Sequence, residues 1–225
     1  MSFSRSLKNK AQTIWEAGYH HPFVQELGQG TLKKERFQFY LKQDYLYLLD
    51  YTKVYALGAV KCKDEELLQR FVEIQHSILT TELALHRQYM KQFDIDFNEL
   101  KTTPTSLFNR TYTANMLAVG QTGDLAEILA TILPCAWTYY DYAMGLKEKY
   151  ADQLEENFYK SWIEMYANAD FLESFSWFFD TLDTLVENKS VIEKQRIEAI
   201  FTASVEFEYL FWEMSYQQNL GILHK

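Results

Sequence analysis

The most reactive side chain that the sequence offers is a thiol beside a proline in a predicted helix. Pro134 cannot donate a hydrogen bond to the carbonyl of Ala130, so the segment TILPCAWTYYDY is expected to kink beside Cys135 and open a space for the thiol. A lone helical cysteine is usually a small buried side chain. Tyr139 and Tyr142, four and seven residues further along the same helical face, favour instead a reactive thiol facing a cavity.

Asp44 interrupts a stripe of aromatic and apolar residues that recur at helical spacing. The stripe consists of Phe37, Tyr40, Leu41, Tyr47, Leu48, Tyr51 and Tyr55. A buried carboxylate is costly unless it is paired or hydrogen-bonded. Two roles remain open for Asp44: a structural acid satisfied by a core tyrosine or a helix terminus, or an acceptor for the amino group of a polar ligand.

Glu208 is a second acid on an otherwise buried helical face. That face carries Ile197, Phe201, Ser204, Phe211 and Ser215. The neighbouring Glu206 falls on the opposite face and is expected to reach solvent. Apolar surroundings raise the pKa of a carboxyl group, which suits a general acid at neutral pH. The alternative for Glu208 is a position at the edge of the core that reaches water.

Few chain breakers and a series of capping residues predict an all-helical bundle in one domain, residues 1–225. The 225 residues include only 8 Gly and 3 Pro, and no alternation of apolar and polar residues indicates a strand. Such bundles build ligand sites from side chains on facing helices. The predicted helices, placed by cap residues and prolines, span about 4–19, 22–28, 32–61, 64–93, 103–120, 124–150, 153–166, 170–188 and 190–217.

The charge balance and the absence of long apolar stretches limit the partners and the compartment. A formal net charge of −9 disfavours a nucleic-acid partner. The sequence offers neither the apolar run of a signal peptide nor the ~18 apolar residues that a membrane-spanning helix needs. We therefore expect a cytoplasmic protein in which Cys62 and Cys135 are reduced thiols.

The histidines indicate a metal site only weakly. Glu73 and His76 have the spacing of half a di-iron site, but no second Glu-x-x-His follows. His20 or His21 offers an axial ligand for a haem. His76 and His86 are better interpreted as partners of nearby carboxylates.

Six segments together resemble one known family along nearly the whole chain. They are HPFVQELGQGTL, LKQDYLYL, LALHR, ILPCAWTYYDY, KSWIEMYAN and FEYLFWEMSY. The chain resembles the TenA family of thiaminase II or aminopyrimidine aminohydrolases, which implies an all-α, haem-oxygenase-like fold, a homotetramer and no metal or organic cofactor. Asp141 departs from the glutamate found in some relatives.

The resemblance also implies a role for each matched residue. Cys135 matches the nucleophile, Glu208 the acid/base carboxylate, and Tyr47 a tyrosine that makes the thiol more nucleophilic. The matched substrate-binding residues are Asp44, Tyr139, Tyr166 and Tyr112, and Tyr51 of the aromatic stripe joins them. The implied reaction releases ammonia from aminomethylpyrimidine, or thiazole from thiamin, and yields hydroxymethylpyrimidine. A haem- or metal-dependent oxidase on the same fold and a non-catalytic, regulatory ligand-binding protein remain the alternatives.

Overall fold

The computed structural model describes residues 2–93, 95–100 and 102–221. Over these ranges the chain forms helices and turns without a strand, which confirms the all-α prediction. The chain divides into two compact units, one made of Met1–Leu32 and Leu129–Glu213 and the other of Lys33–Ile128 and Met214–Lys225. The single domain predicted from the sequence stays a prediction.

The first unit contains three short N-terminal helices and the later helices of the chain. These are α1 (Phe3–Lys10), α2 (Gln12–Tyr19), α3 (Pro22–Gln29), most of α9 (Leu125–Lys149), a 3₁₀ helix (Ala151–Glu156), α10 (Lys160–Tyr166), α11 (Ala169–Val186) and most of α12 (Val191–Gln217). Trp15 and Trp137 meet edge to face, with ring centroids 5.2 Å apart, and Phe201 stacks on Trp15. This aromatic cluster packs α2, α9 and α12 into one core.

The second unit is built around the long helix α4. Its elements are α4 (Lys34–Lys61), α5 (Glu65–Ser77), a π-helical turn (Ile78–Glu82), α6 (Leu83–Gln92), α7 (Phe97–Leu100) and α8 (Leu107–Thr122). The buried face of α4 carries the predicted stripe, from Phe37 through Asp44 to Tyr55. No helix within the described ranges has the length and apolar character of a membrane-spanning segment.

Helix starts that depend on local capping agree with the sequence prediction. Asp124 and Glu127 cap each other's backbone N–H at the start of α9. Ser190 and Glu193 form the same reciprocal pair before α12. Asp64 accepts from the N–H of Leu67 at the start of α5. These bonds join residues three positions apart, so the sequence carries all the information that they need.

The predicted start of the fifth helix at Thr103 and Pro104 is wrong. Helix α8 begins at Leu107, and the Ser106 hydroxyl caps it by accepting from the N–H of Asn109. The side-chain amide of Gln43 donates to the Pro104 carbonyl (3.0 Å) and accepts from the Ser106 N–H (2.9 Å). Because a buried side chain of α4 takes these backbone groups, the helix starts later than its proline suggests.

Other predicted boundaries also require correction. The first predicted helix breaks at Ala11, the fourth contains the π-helical turn, and the seventh is interrupted between the 3₁₀ helix and α10. Asn168, not Asp170, caps α11 by accepting from the N–H of Phe171. Helix α7 was not predicted, because four residues are too few for a periodic pattern.

Candidate functional site

The thiol of Cys135 lies within the long helix α9, directly after a buried proline. The helix continues through Pro134 from Leu125 to Lys149. Cys135 itself is half-buried. The hydroxyl of Thr138 donates to the Cys135 carbonyl (3.3 Å), one turn further along. The kink expected from Pro134 stays a prediction.

Two contacts fix the register of α9 against α12 inside the first unit. The buried hydroxyls of Thr131 and Ser204 hydrogen-bond across the helices at 3.0 Å, between residues 73 positions apart. Two turns later the ring centroids of Tyr139 and Trp212 lie 5.1 Å apart, and these residues are also 73 positions apart in the sequence. The two helices therefore run in the same direction along this stretch.

Cys135 and Glu208 occupy the turn between these two contacts. They have the same separation in sequence as the pairs on either side, and residues four apart share a helical face. Glu208 is 3% exposed, whereas Glu206 is exposed. The prediction that Glu208 faces inward and Glu206 outward is confirmed, and the nucleophile and the acid predicted from the sequence lie on facing turns.

Tyr142 reports on the electrostatic surroundings of Glu208. Burial raises the pKa of the Tyr142 hydroxyl, and the charges of Glu208 and Asp141 raise it further. The hydroxyl donates to the carbonyl of Trp15 (2.7 Å). Tyr142 is therefore a neutral donor fixed to α2, close enough to Glu208 to feel its charge.

Asp141 forms an ion pair with Lys8. The ammonium group of Lys8 also lies over the Trp15 ring, 5.1 Å from its centroid. The Asp141 side chain thus connects α9 to α1.

An aromatic cluster surrounds the next turn of α9 in the first unit. Tyr139 meets Tyr166 edge to face at 4.9 Å, and both rings contact Trp162. The structure therefore brings together two tyrosines that were predicted to bind substrate. Trp162 and Trp212 were missed, although each lies four residues from a predicted site residue and so shares its helical face.

Asp44 in the second unit is buried in an ion pair with a histidine. Its Oδ2 atom lies 2.6 Å from Nε2 of His86, and both side chains are almost fully buried. The Tyr40 hydroxyl donates to the same oxygen (3.2 Å). The prediction that His86 partners a carboxylate is confirmed, but this carboxylate lies 42 positions away in the sequence. His76 is exposed, and within the described ranges no carboxylate pairs with it.

The remaining predicted tyrosines pack ring against ring on α4 and α8, with Tyr51 stacked on Tyr47 and Tyr112 tilted against it. The ring of Tyr47 lies 5.2 Å from both Tyr51 and Tyr112. One turn before this stack, the side-chain amide of Asn109 donates to the backbone carbonyl of Gln43 (2.8 Å). This bond fixes the register of the helices that carry Tyr47 and Tyr112, as the Thr131–Ser204 bond does in the first unit.

The other candidate groups are engaged elsewhere. Cys62 donates to the Gly58 carbonyl, and burial, followed by the charge of Asp64, raises the pKa of its thiol. His21 accepts from the Phe23 N–H through Nδ1 and donates to Glu213 through Nε2, so both ring nitrogens are used. Across residues 2–93, 95–100 and 102–221, no three His, Cys, Asp or Glu side chains gather as metal ligands would.

Comparisons with known proteins agree with the resemblance found in the sequence. A model of the TENA/THI-4/PQQC family matches residues 8–218. An aminopyrimidine aminohydrolase from Halalkalibacterium halodurans is 41% identical over 220 residues, which cover 98% of both chains. One from Helicobacter pylori is 40% identical over 217 residues, covering 96% of this chain and 100% of the relative.

Solved structures confirm the predicted fold. A TenA homologue from P. horikoshii OT3 has a TM-score of 0.84 at 28% identity, covering 96% of this chain and 99% of that chain. A domain with a heme oxygenase-like fold from Shewanella denitrificans has a TM-score of 0.61 at 17% identity, covering 95% and 92%. The second likeness concerns the fold alone.

Proposed function

Since the chain belongs to the TENA/THI-4/PQQC family, we propose that it is a hydrolase that deaminates 4-amino-5-aminomethyl-2-methylpyrimidine to the hydroxymethyl compound and so serves thiamin salvage. Relatives at about 40% identity over nearly the full length are named aminopyrimidine aminohydrolase, which supports the substrate class. The observation that carries the proposal for this chain is the shared register of Cys135 and Glu208 on facing turns of α9 and α12.

The reaction proceeds through a covalent adduct. The Cys135 thiolate adds to a carbon of the pyrimidine ring while Glu208 protonates a ring nitrogen, so negative charge does not accumulate there. The electron-rich adduct expels the group on the exocyclic carbon at C5, which is ammonia from aminomethylpyrimidine. Water then adds to that carbon, the carbon–sulfur bond breaks, and the product leaves with a hydroxymethyl group. Thiamin reacts in the same way, with its thiazole as the leaving group.

The first unit supplies features that suit this chemistry. Cys135 is half-buried rather than part of the fully buried core, and the pKa of the alternative thiol, Cys62, is raised. Tyr139 and Tyr166 offer aromatic surfaces for a flat ring. Glu208 lies beside a neutral tyrosine and not on the solvent-facing side of its helix.

The second unit supplies features that suit recognition of an aminopyrimidine. Asp44 is a buried carboxyl group that pairs with His86 and can accept a hydrogen bond from an amino group. Tyr47, Tyr51 and Tyr112 present neighbouring aromatic rings for binding. The family resemblance assigns Tyr47 the further role of making the thiol more nucleophilic.

We also propose a cytoplasmic homotetramer that needs no cofactor. Cys62 and Cys135 are thiols and not disulfide-bonded, as a thiolate mechanism in a reducing compartment requires. Leu68 and Val72 on α5 and Leu79 in the following turn leave apolar side chains exposed, which suits a subunit interface. Light scattering on the purified protein tests the assembly, and a monomer would refute it.

The decisive experiment is product analysis with two substrates. Purified protein is incubated separately with aminomethylpyrimidine and with thiamin, and products are followed by mass spectrometry. We expect hydroxymethylpyrimidine from both, together with ammonia or thiazole. Thermal stabilisation by the ligand without turnover would indicate a regulatory binding protein, and a haem or metal absorbance spectrum would indicate an oxidase; either outcome replaces the proposal.

A further inference from the structure

His86 is a buried histidine whose two ring nitrogens both face oxygen acceptors. Nδ1 lies 2.9 Å from the backbone carbonyl of Glu82, and Nε2 lies 2.6 Å from Oδ2 of Asp44. A carbonyl oxygen can only accept, so Nδ1 must carry a proton. A neutral imidazole has just one N–H, which leaves Nε2 facing a carboxylate that also has no proton to give. The arrangement is satisfied when the ring holds a second proton on Nε2.

The surroundings agree with a charged ring. Burial by itself lowers the pKa of His86, but the hydrogen bond and the charge of Asp44, followed by the charge and the carbonyl of Glu82, outweigh it, so the pKa is raised. Two further titratable groups act on the pair: Tyr40, which donates to Asp44, and Glu82, whose charge acts on His86. The Glu82 carbonyl belongs to a π-helical turn, an irregularity that occurs often at functional sites.

Both hydrogen bonds to Asp44 in the described part of the chain end on the same oxygen. His86 and Tyr40 donate to Oδ2, and Oδ1 receives no donor from the described residues. A carboxylate held by two donors on one oxygen is fixed in orientation and offers the other oxygen to a ligand.

We propose that His86 is a positioning residue for substrate: an imidazolium held between the Glu82 carbonyl and Oδ2 of Asp44, which keeps Asp44 charged and turns Oδ1 toward the amino group of an uncharged aminopyrimidine. This inference rests on the proposed function, because it takes the ligand of Asp44 from there. The new element is that the second ring proton of His86, which neutralises the charge of Asp44, is already on the protein before the ligand binds.

The proposal has a consequence that a merely structural histidine would lack. In wild-type protein the pair His86–Asp44 has no net charge, so an uncharged ligand binds without proton uptake. In His86→Gln the buried Asp44 loses its cationic partner. Ligand binding is then accompanied by uptake of a proton from solvent, either onto Asp44 or onto the ligand ring. Affinity in that variant then falls as the pH rises.

The test is calorimetric titration with 4-amino-5-hydroxymethyl-2-methylpyrimidine, which is the reaction product and is not consumed. Titrations in buffers with different ionisation enthalpies give the number of protons taken up on binding. We expect none for the wild type between pH 7 and 8. For His86→Gln we expect about one proton, binding weakened roughly 10- to 100-fold, and an affinity that falls by up to about tenfold per pH unit. The exposed His76→Gln is the matched control and should behave as wild type.

A second measurement keeps the proposal testable if His86→Gln does not fold. Nitrogen NMR of the wild-type imidazoles at pH 8 should show one histidine with both ring nitrogens protonated. A neutral His86 ring, or a folded His86→Gln that binds as wild type without proton uptake, refutes the positioning role alone. If wild-type protein does not bind the pyrimidine at all, the proposed function fails, and the substrate role of His86 fails with it.

Discussion

Asp44 and Glu208, the buried acids proposed to act on substrate, have different surroundings. Asp44 in the second unit is bonded to a histidine and a tyrosine through one oxygen. Glu208 in the first unit lies on an aromatic and hydroxyl-bearing face and lowers the acidity of the nearby Tyr142. An acid with a cationic partner is suited to accept hydrogen bonds and remain charged, whereas an acid beside a neutral phenol is suited to exchange a proton. The comparison predicts binding defects in one unit and chemical defects in the other.

Replacement of the nucleophile should give the largest effect and the cleanest separation of chemistry from binding. We expect Cys135→Ser to lower kcat for aminomethylpyrimidine by about four orders of magnitude or more, because the adduct no longer forms. The affinity for hydroxymethylpyrimidine should change little. Mass spectrometry and calorimetry measure the two quantities, and Cys62→Ser is the matched control. Full turnover by Cys135→Ser would remove the covalent mechanism.

Glu208→Gln should lower kcat by roughly two to four orders of magnitude, since the amide cannot transfer a proton. KM should stay near the wild-type value if the carboxyl group acts mainly in the transition state. Glu206→Gln, on the solvent-facing side of the same helix, should be unaffected in steady-state assays. An unchanged kcat in Glu208→Gln would make Glu208 a structural residue and erase the contrast with Asp44.

Asp44→Asn should give the opposite pattern, with the loss mainly in KM. A charge-assisted hydrogen bond contributes about 1.5–3 kcal/mol, so KM should rise roughly 10- to 100-fold while kcat falls less. The half-buried acid Asp50, which pairs with Lys53 at the surface of the same helix, is replaced by Asn as the control. A kcat loss as large as that of Glu208→Gln would show that the two acids share the chemical role.

Local chemistry explains which parts of this architecture could be predicted from the sequence. The caps at Asp64, Asp124 and Ser190 join residues three positions apart and were predictable, as was the inward face of Glu208. The start of α8 was not, because the deciding amide of Gln43 comes from another helix. The partner of Asp44 was missed for the same reason, since 42 positions separate it from His86.

The sequence predicted which side chains could react, but not which contacts align the helices that carry them. The residue patterns and the family resemblance together predicted Cys135 as a nucleophile and Glu208 as an acid, but not the hydroxyl pair that places them on facing turns. Thr131 and Ser204 have ordinary sequence surroundings, and only the packing of α9 on α12 gives them a role. The same holds for Gln43 and Asn109 in the second unit.

Loss of the hydrogen bond between Thr131 and Ser204 should have a smaller effect on catalysis in the first unit. Thr131→Val or Ser204→Ala alone leaves one buried hydroxyl without its partner, which should cost about 1–2 kcal/mol of unfolding free energy. We expect kcat to fall roughly three- to tenfold through altered register, with little change in pyrimidine affinity. The double variant should lose less than the sum. Denaturant unfolding and kinetics measure both, with the exposed Thr122→Val as control; additive losses would show that the bond does not couple the helices.

The smallest expected effect is a pH dependence that belongs to the second unit. The pKa of His86 is raised in the folded protein above its usual value of about 6.5. The stability from its pairing with Asp44 is therefore fully present below about pH 6.5 and is lost as the pH rises through the raised folded-state pKa. The Tm gap between wild type and His86→Gln should be widest near pH 6 and narrow by a few degrees toward alkaline pH, at about 2–4 °C per kcal/mol for a chain of this size. Scanning fluorimetry from pH 6 to 10 measures it, and His76→Gln should show no such trend. A gap that stays constant with pH would mean that His86 is neutral, and the two acids would then no longer differ in the charge of their partners.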